Sequence, residues 1–288
     1  MAPFKKGIAV IGSTTIDKIV ENGRSICKLG GVTTYAGLTY RRHGIHTLVL
    51  TNIAEQDRHL LDKLKAENIA VCRGNSTFTT HFVNYIKGDE RRQKLLLQAD
   101  TIQATQIFAI LDQVDSLHLG PLHPLDIEWD AVNLSNCPEL MIFMDVQGLT
   151  RKIENNRIST SVSAHMDHAL KIAHIVKANG AEYRAVLDFY RMTPSELMRR
   201  FHLQEIVVTL GAKGGFVRKP DGTAIHYPAS GVGSGLDPTG AGDVFFAAYL
   251  VSRWADGKDI HAACRHAACI ASRQVAGRYI TAATLQLG

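Results

Sequence analysis

Short runs rich in β-branched and aliphatic residues return along the chain at 7–12, 47–52, 69–72, 116–120, 140–145, 174–177 and 205–210, with stretches of helical spacing such as 33–43 and 57–67 between them. A strand that is apolar on both faces has to be covered on both, and alternation with amphipathic helices achieves this through βαβ units of a parallel sheet. The pattern predicts an α/β protein of three layers, a mostly parallel central sheet between helices. At 288 residues and 45% hydrophobic content the chain can bury such a core as one domain over 1–288.

Two segments, 16–29 and 78–98, break the alternation. The second is two strand-like runs, 78–87 and 92–98, joined by the polar turn Gly88-Asp89-Glu90-Arg91, a hairpin pattern. Strands inserted between early βαβ units do not join a parallel sheet easily, so these predict a small discontinuous β-layer beside it, a candidate lid. Phe78, Phe82 and Tyr85 are its apolar members, expected to cover a substrate or to pack between two chains. An exposed sheet edge can be covered by a second copy, which allows a homodimer through the lid without requiring one.

Composition narrows the function. The longest apolar runs fall short of the ~20 residues that cross a bilayer, and the N-terminus lacks a secretion-type segment, so a cytoplasmic protein is expected. Five scattered cysteines without a C-x-x-C pair predict free thiols. A formal charge of +5 is spread over isolated basic doublets, which suits small anionic substrates better than nucleic acid. Thirteen histidines include the pair His165 and His168, but no Glu or Cys completes a metal site around them.

Asp237-Pro238-Thr239-Gly240-Ala241-Gly242-Asp243 runs directly into an almost wholly apolar stretch, 244–251. A glycine-rich turn before a buried helix offers free backbone N–H groups, here from about Gly240 to Gly242, at the positive end of the helix dipole. Asp243 falls in the first turn, where the dipole is expected to depress its pKa, and a carboxylate beside a bound phosphate can take the proton of an attacking hydroxyl. An ordinary helix start with an acidic residue would read the same way.

This heptapeptide resembles the C-terminal signature of ribokinase-like (PfkB) kinases, and the resemblance implies that Asp243 is the catalytic base and that Gly240, Ala241 and Gly242 form the anion hole. Weaker matches follow in order. Gly30-Gly31 within 29–36 is similar to the family's substrate motif, with Asp17 as the acid that holds substrate hydroxyls and Tyr35 where many members have Asn. Asn179-Gly180-Ala181-Glu182 resembles the Asn-x-x-Glu motif, which implies Mg2+ ordered through water by Asn179 and Glu182. The stretch 209–215 resembles a nucleotide-binding turn, implying ATP contacts from Thr209, Gly211, Lys213 and Gly214. Asp237 and Thr239, with carbonyls from within 275–279, would hold K+ by the same resemblance.

The expected activity is therefore transfer of the γ-phosphate of ATP to a hydroxyl. Neither a P-loop string nor G-x-G-x-x-G after the first strand is present, which disfavours the nucleotide-binding alternatives. Asp145-Val146-Gln147-Gly148-Leu149-Thr150-Arg151 resembles a string of a branch that includes inositol-type kinases, which points to a polyol or atypical sugar. A nucleoside is the runner-up, and a non-catalytic sugar- or nucleotide-binding protein is the reading from another class.

Overall fold

Ile8 and Val10 point into one hydrophobic core and Ala9 and Ile11 into another, as a strand with side chains of period two must when both faces are covered. The computed structural model describes residues 4–21, 23–87, 90–134, 136–231 and 238–287. Its strands in chain order are β1 Ile8–Ile11, β2 Thr15–Glu21, β3 Arg24–Gly30, β4 Thr47–Ala54, β5 Ala70–Ser76, β6 Thr80–Lys87, β7 Glu90–Leu97 and β8 Ser116–Leu119. They continue as β9 Met141–Asp145, β10 Arg151–Glu154, β11 Arg157–Thr160, β12 Ile175–Asn179, β13 Glu205–Thr209, β14 Gly215–Arg218 and β15 Ala224–Tyr227.

The central nine-stranded sheet runs β15-β14-β13-β12-β9-β8-β1-β4-β5. Its pairings are parallel except for β13–β14 and β14–β15. One face packs against the helices Val32–Arg42, Ala241–Leu250 and Ile260–Val275, the other against Met166–Ile172, Gly180–Tyr190 and Pro194–Phe201. The three predicted layers are therefore present. The expected helix over 57–67 is instead a 3-10 segment Glu55–Leu61 running into the short helix Asp62–Ala66.

The interrupting segments form one second sheet, β10-β11-β7-β6-β2-β3. It holds one more hairpin than the sequence suggested, β10–β11, because the chain turns into a strand at Arg151 directly after the 3-10 turn Gln147–Thr150. The chain leaves for this sheet only after β1, β5 and β9, that is, from the C-terminal edge of the central sheet. A small polar knot fastens the crossing points. Ser13 Oγ donates to Asp126 Oδ1 at 2.6 Å and meets Thr80 Oγ1 at 2.9 Å, which also accepts from the Ala99 N–H at 3.0 Å. No helix among the described residues is long and apolar enough to cross a membrane.

Candidate active site

Between the two sheets lies a cavity of about 340 Å³ lined by Thr15, Asp17, Gly31 and Tyr35 on one side and by Pro238, Thr239, Gly240, Gly242 and Asp243 on the other. Residues more than 200 positions apart are thus brought to one cleft. Its remaining walls are Phe82, Gln93, Leu122, Gln147, Arg151 and Lys177.

The turn before the helix Ala241–Leu250 is shaped by Gly240, whose φ of 76° is left-handed and whose missing Cβ leaves room for the Tyr35 ring; a Cβ there would stand 2.3 Å from Tyr35 Cδ1. Only glycine suits both demands. Tyr35, 1% exposed, therefore supports the turn as well as lining the cleft. The Ala241 N–H closes the turn onto the Pro238 carbonyl at 3.1 Å. Of the first four N–H groups, those of Gly240, Gly242 and Asp243 are then left without a partner within the helix, so the donors extend one residue beyond the 240–242 span expected from sequence. Residues 244–250 behind them are all buried, so the turn sits on a fixed base.

Burial raises the pKa of Asp243 to about 7, with Lys177 pulling it down and Asp145 pushing it up. The expected depression by the helix dipole is outweighed: a dipole end acts as roughly half a charge, while the partial desolvation of Asp243, which keeps some surface open to the cleft, acts on the full charge of its carboxylate.

Asp17, 5% exposed, stands on β2 and accepts from Thr15 Oγ1 at 2.7 Å. Gly30 does not line the cleft; it leaves space for that carboxylate, since a Cβ at Gly30 would stand 2.4 Å from Asp17 Oδ2. Gly31 begins the helix Val32–Arg42 at φ 88°. Of the aromatic residues expected to cover a substrate, Phe82 lies in the cleft, while Tyr85 is exposed beneath Lys94 and Phe78 is exposed beyond the strands.

Asn179 and Glu182 make a reciprocal cap of the helix Gly180–Tyr190. Asn179 Oδ1 accepts from the N–H groups of Ala181 and Glu182, both at 2.9 Å, and Glu182 Oε2 accepts from the Asn179 N–H at 2.7 Å. The plain helix-start role is thus real. Glu182 is also 8% exposed, and burial lifts its pKa against the pull of Lys177. Among the described residues no three His, Cys, Asp or Glu side chains gather as metal ligands.

Thr209, Gly211, Lys213 and Gly214 form the turn between β13 and β14, with Gly211 and Gly214 at φ 59° and 79°. They do not line the cavity. The turn adjoins the Asn179 cap, because Leu210 Cδ2 occupies the space where a Cβ on Gly180 would be. Thr239 is buried at the cleft, and Asp237 lies outside the described residues. In the later loop the Tyr279 carbonyl accepts from Arg42.

Sequence reasoning missed Lys177 and left Asp145 and Arg151 without roles. Lys177 and Asp145 are register partners on β12 and β9, paired at 2.6 Å with side-chain exposures of 5% and 1%. Burial pushes the Lys177 pKa down, but Asp145, Glu182 and Asp243 more than offset this and hold it above the usual lysine value. Losing either partner would strand a buried charge at a cost of about 3–5 kcal/mol. Arg151 spans the two sheets, donating to the Leu122 carbonyl at 3.0 Å and to Gln93 Oε1 at 3.1 Å, with its guanidinium 5.8 Å from the Phe82 ring centroid. The available signal was a charged residue inside an otherwise apolar strand, His174-Ile175-Val176-Lys177-Ala178, which is rare unless paired.

Comparison with known proteins places these features in a family. The profile described as pfkB family carbohydrate kinase matches residues 8–284. A pyrophosphate-dependent kinase in the ribokinase family, complexed with a pyrophosphate analog and myo-inositol, superposes with a TM-score of 0.80 at 22% identity, over 93% of this chain and 95% of that one. A Burkholderia thailandensis nucleoside kinase in complex with inosine gives 0.76 at 17% identity, over 93% and 90%. Ribokinase from Thermotoga maritima gives 0.71 at 18% identity, over 93% and 92%. At these identities the likeness to solved structures is one of fold.

Proposed function

The chain belongs to the pfkB family of carbohydrate kinases, and from that premise we propose that it transfers the γ-phosphoryl group of ATP to a hydroxyl of a polyol or sugar. The supporting observation is the single cleft that unites Asp17 with the 239–243 turn. Neither half would serve a kinase alone.

The acceptor sits between the sheets, where Asp17, Gln93, Gln147 and Arg151 face it with carboxylate, amide and guanidinium groups. Such a wall suits a compact ligand carrying many hydroxyls. Asp243, in its ionised form, accepts the proton of the attacking hydroxyl. The N–H groups of Gly242 and Asp243 and the helix dipole stabilise negative charge on the phosphoryl group as it transfers. The sheet β10-β11-β7-β6-β2-β3 acts as a lid, keeping out water that would compete as nucleophile. Mg2+, when carried on the donor phosphates, would neutralise part of their charge, with Asn179 and Glu182 as the residues that hold its waters. The 209–214 turn, beside that cap, is the surface proposed for the nucleotide, and Thr239 remains the candidate K+ contact.

A second reading concerns the donor. Two cationic side chains, Lys177 and Arg151, line the same cleft as the anion turn, an arrangement that would also hold a donor made of phosphates alone. Incubation with Mg2+, either ATP or pyrophosphate, and a panel of polyols, sugars and nucleosides, read by ³¹P NMR, distinguishes these possibilities. Asp243→Asn should lower turnover by about 10²–10⁴; if it turns over like wild type, the assignment fails.

A further inference from the structure

We infer that the Lys177 ammonium is a ligand of the donor's transferable phosphoryl group, held beneath the anion turn by Asp145 until the donor binds. This rests on the phosphotransfer reading of Asp243 and adds a group which that reading does not contain.

The placement follows from strand alternation. Ile175 enters the core on the side of the helix Ala241–Leu250, whereas Val176 and Ala178 enter the opposite one. Lys177, two residues after Ile175, therefore faces the N-terminus of that helix. The close approach is visible at Gly242: a Cβ there would stand 3.1 Å from Lys177 Nζ. The same absence of a side chain that opens the turn to an anion also admits the ammonium beside it.

Hydrogen-bond capacity points the same way. An ammonium carries three donors. Asp145 Oδ2 accepts from Lys177 Nζ at 2.6 Å, the one hydrogen bond of that ammonium to the described residues. Asp145 is itself anchored, accepting the Gln147 N–H on Oδ1 at 2.9 Å. The lysine is thus gripped from one side, and two N–H directions are left for a ligand in the cleft that it lines.

Charge supplies the reason for keeping it. Asp17 and Asp243 line the cleft, and Asp145 and Glu182 lie close enough to act on Lys177 and Asp243. A phosphoanhydride brought into that company needs compensating cations. In the transfer the acceptor oxygen bonds to the terminal phosphorus while the bond from phosphorus to the bridging oxygen breaks. Its electron pair leaves with the departing ADP, or with phosphate when pyrophosphate is the donor, and the hydroxyl proton passes to Asp243. Lys177 exchanges no atom; it stays charged and bonds to the phosphoryl oxygens throughout.

The shared ligand chemistry is a phosphoanhydride, which either ATP or pyrophosphate provides. The test is calorimetric titration of each donor, with Mg2+ and without acceptor, into the full chain as wild type, D243N, D145N, K177M and K177M/D145N, with circular dichroism as the check of folding. K177M alone strands Asp145, so the double variant carries the comparison if the single one does not fold. K177M/D145N should bind the donor about 10- to 100-fold more weakly than wild type, the loss of a charge-assisted phosphate contact. D145N, which frees the ammonium, should bind at least as tightly as wild type. The donor that shows this pattern is the source of the phosphoanhydride. A double variant that binds like wild type, or a D145N loss equal to that of the double variant, overturns the inference even when D243N is inactive. D243N with full turnover removes the phosphotransfer reading instead, as does a wild-type protein that binds neither donor, and with either the inference falls too.

Discussion

The proposed base, Asp243, can accept a proton only when ionised, and burial holds its pKa near 7, well above an ordinary aspartate. With the acceptor below saturation, kcat/KM reports the free protein, so activity should fall with the slope of one proton on the acid side of about pH 7. The loss should be roughly tenfold at pH 6 and roughly a hundredfold at pH 5. Stability supplies an independent readout with a definite sign. Between the ordinary aspartate value and about 7 the folded protein holds a proton that the unfolded chain releases, so this group's contribution is present at low pH and is lost as pH rises through about 7. Asp243→Asn cannot ionise and escapes that loss. Its Tm should exceed that of wild type at pH 8 by more than it does at pH 5, measured by thermal denaturation without donor, so that phosphate titration plays no part. An activity limb near pH 4, or a Tm difference that does not change between pH 5 and 8, refutes the argument.

Gly240→Ala forces a left-handed residue to carry a Cβ into the Tyr35 ring; the handedness alone costs about 1–2 kcal/mol, and turnover should fall at least about tenfold as the turn shifts, with Tm and single-turnover rate as the measurements. Arg151→Lys keeps the charge but loses the fork that bridges Leu122 and Gln93, so acceptor KM should rise by about 10-fold or more while donor KM changes less; equal effects on both would count against it. Glu182→Gln can still cap Asn179, because glutamine serves at that position, so the fold should hold while the Mg2+ midpoint in a titration of activity moves upward.

The parts of the fold that were legible follow from local pattern. The buried strands β1, β4, β9 and β13 sit within a few residues of their apolar runs, since a strand covered on both faces has little freedom of sequence. The hairpin β10–β11 was not legible: its strands, Arg-Lys-Ile-Glu and Arg-Ile-Ser-Thr, are short, partly to fully exposed and without an apolar run, and although they pair with each other, their link to the second sheet is one register pair with β7, far away in sequence. The site shows the same division. The 239–243 turn announces itself because its glycines and acid are contiguous. Lys177 matters only through the register of β12 on β9 and the approach of Gly242, which no single stretch of sequence contains. The Asp243 pKa was misjudged for a related reason, because burial by distant elements is not written beside the residue.

The polar knot of Ser13, Thr80 and Asp126 lies where the second sheet meets the first, so the two sheets are joined by side-chain hydrogen bonds along one edge. Six strands are fastened to the central sheet near one edge, beside the C-terminal ends of β1, β5 and β9. The far ends are less covered: Ile26 is 52% and Tyr85 42% exposed. Such a sheet can open as a unit while the nine-stranded core stays closed. Amide hydrogens of β2, β6 and β7 should then trade with deuterium together and sooner than those of β1, β8 and β9. The protein would rest between turnovers as a durable platform carrying a cover that melts and re-forms many times in the lifetime of its base.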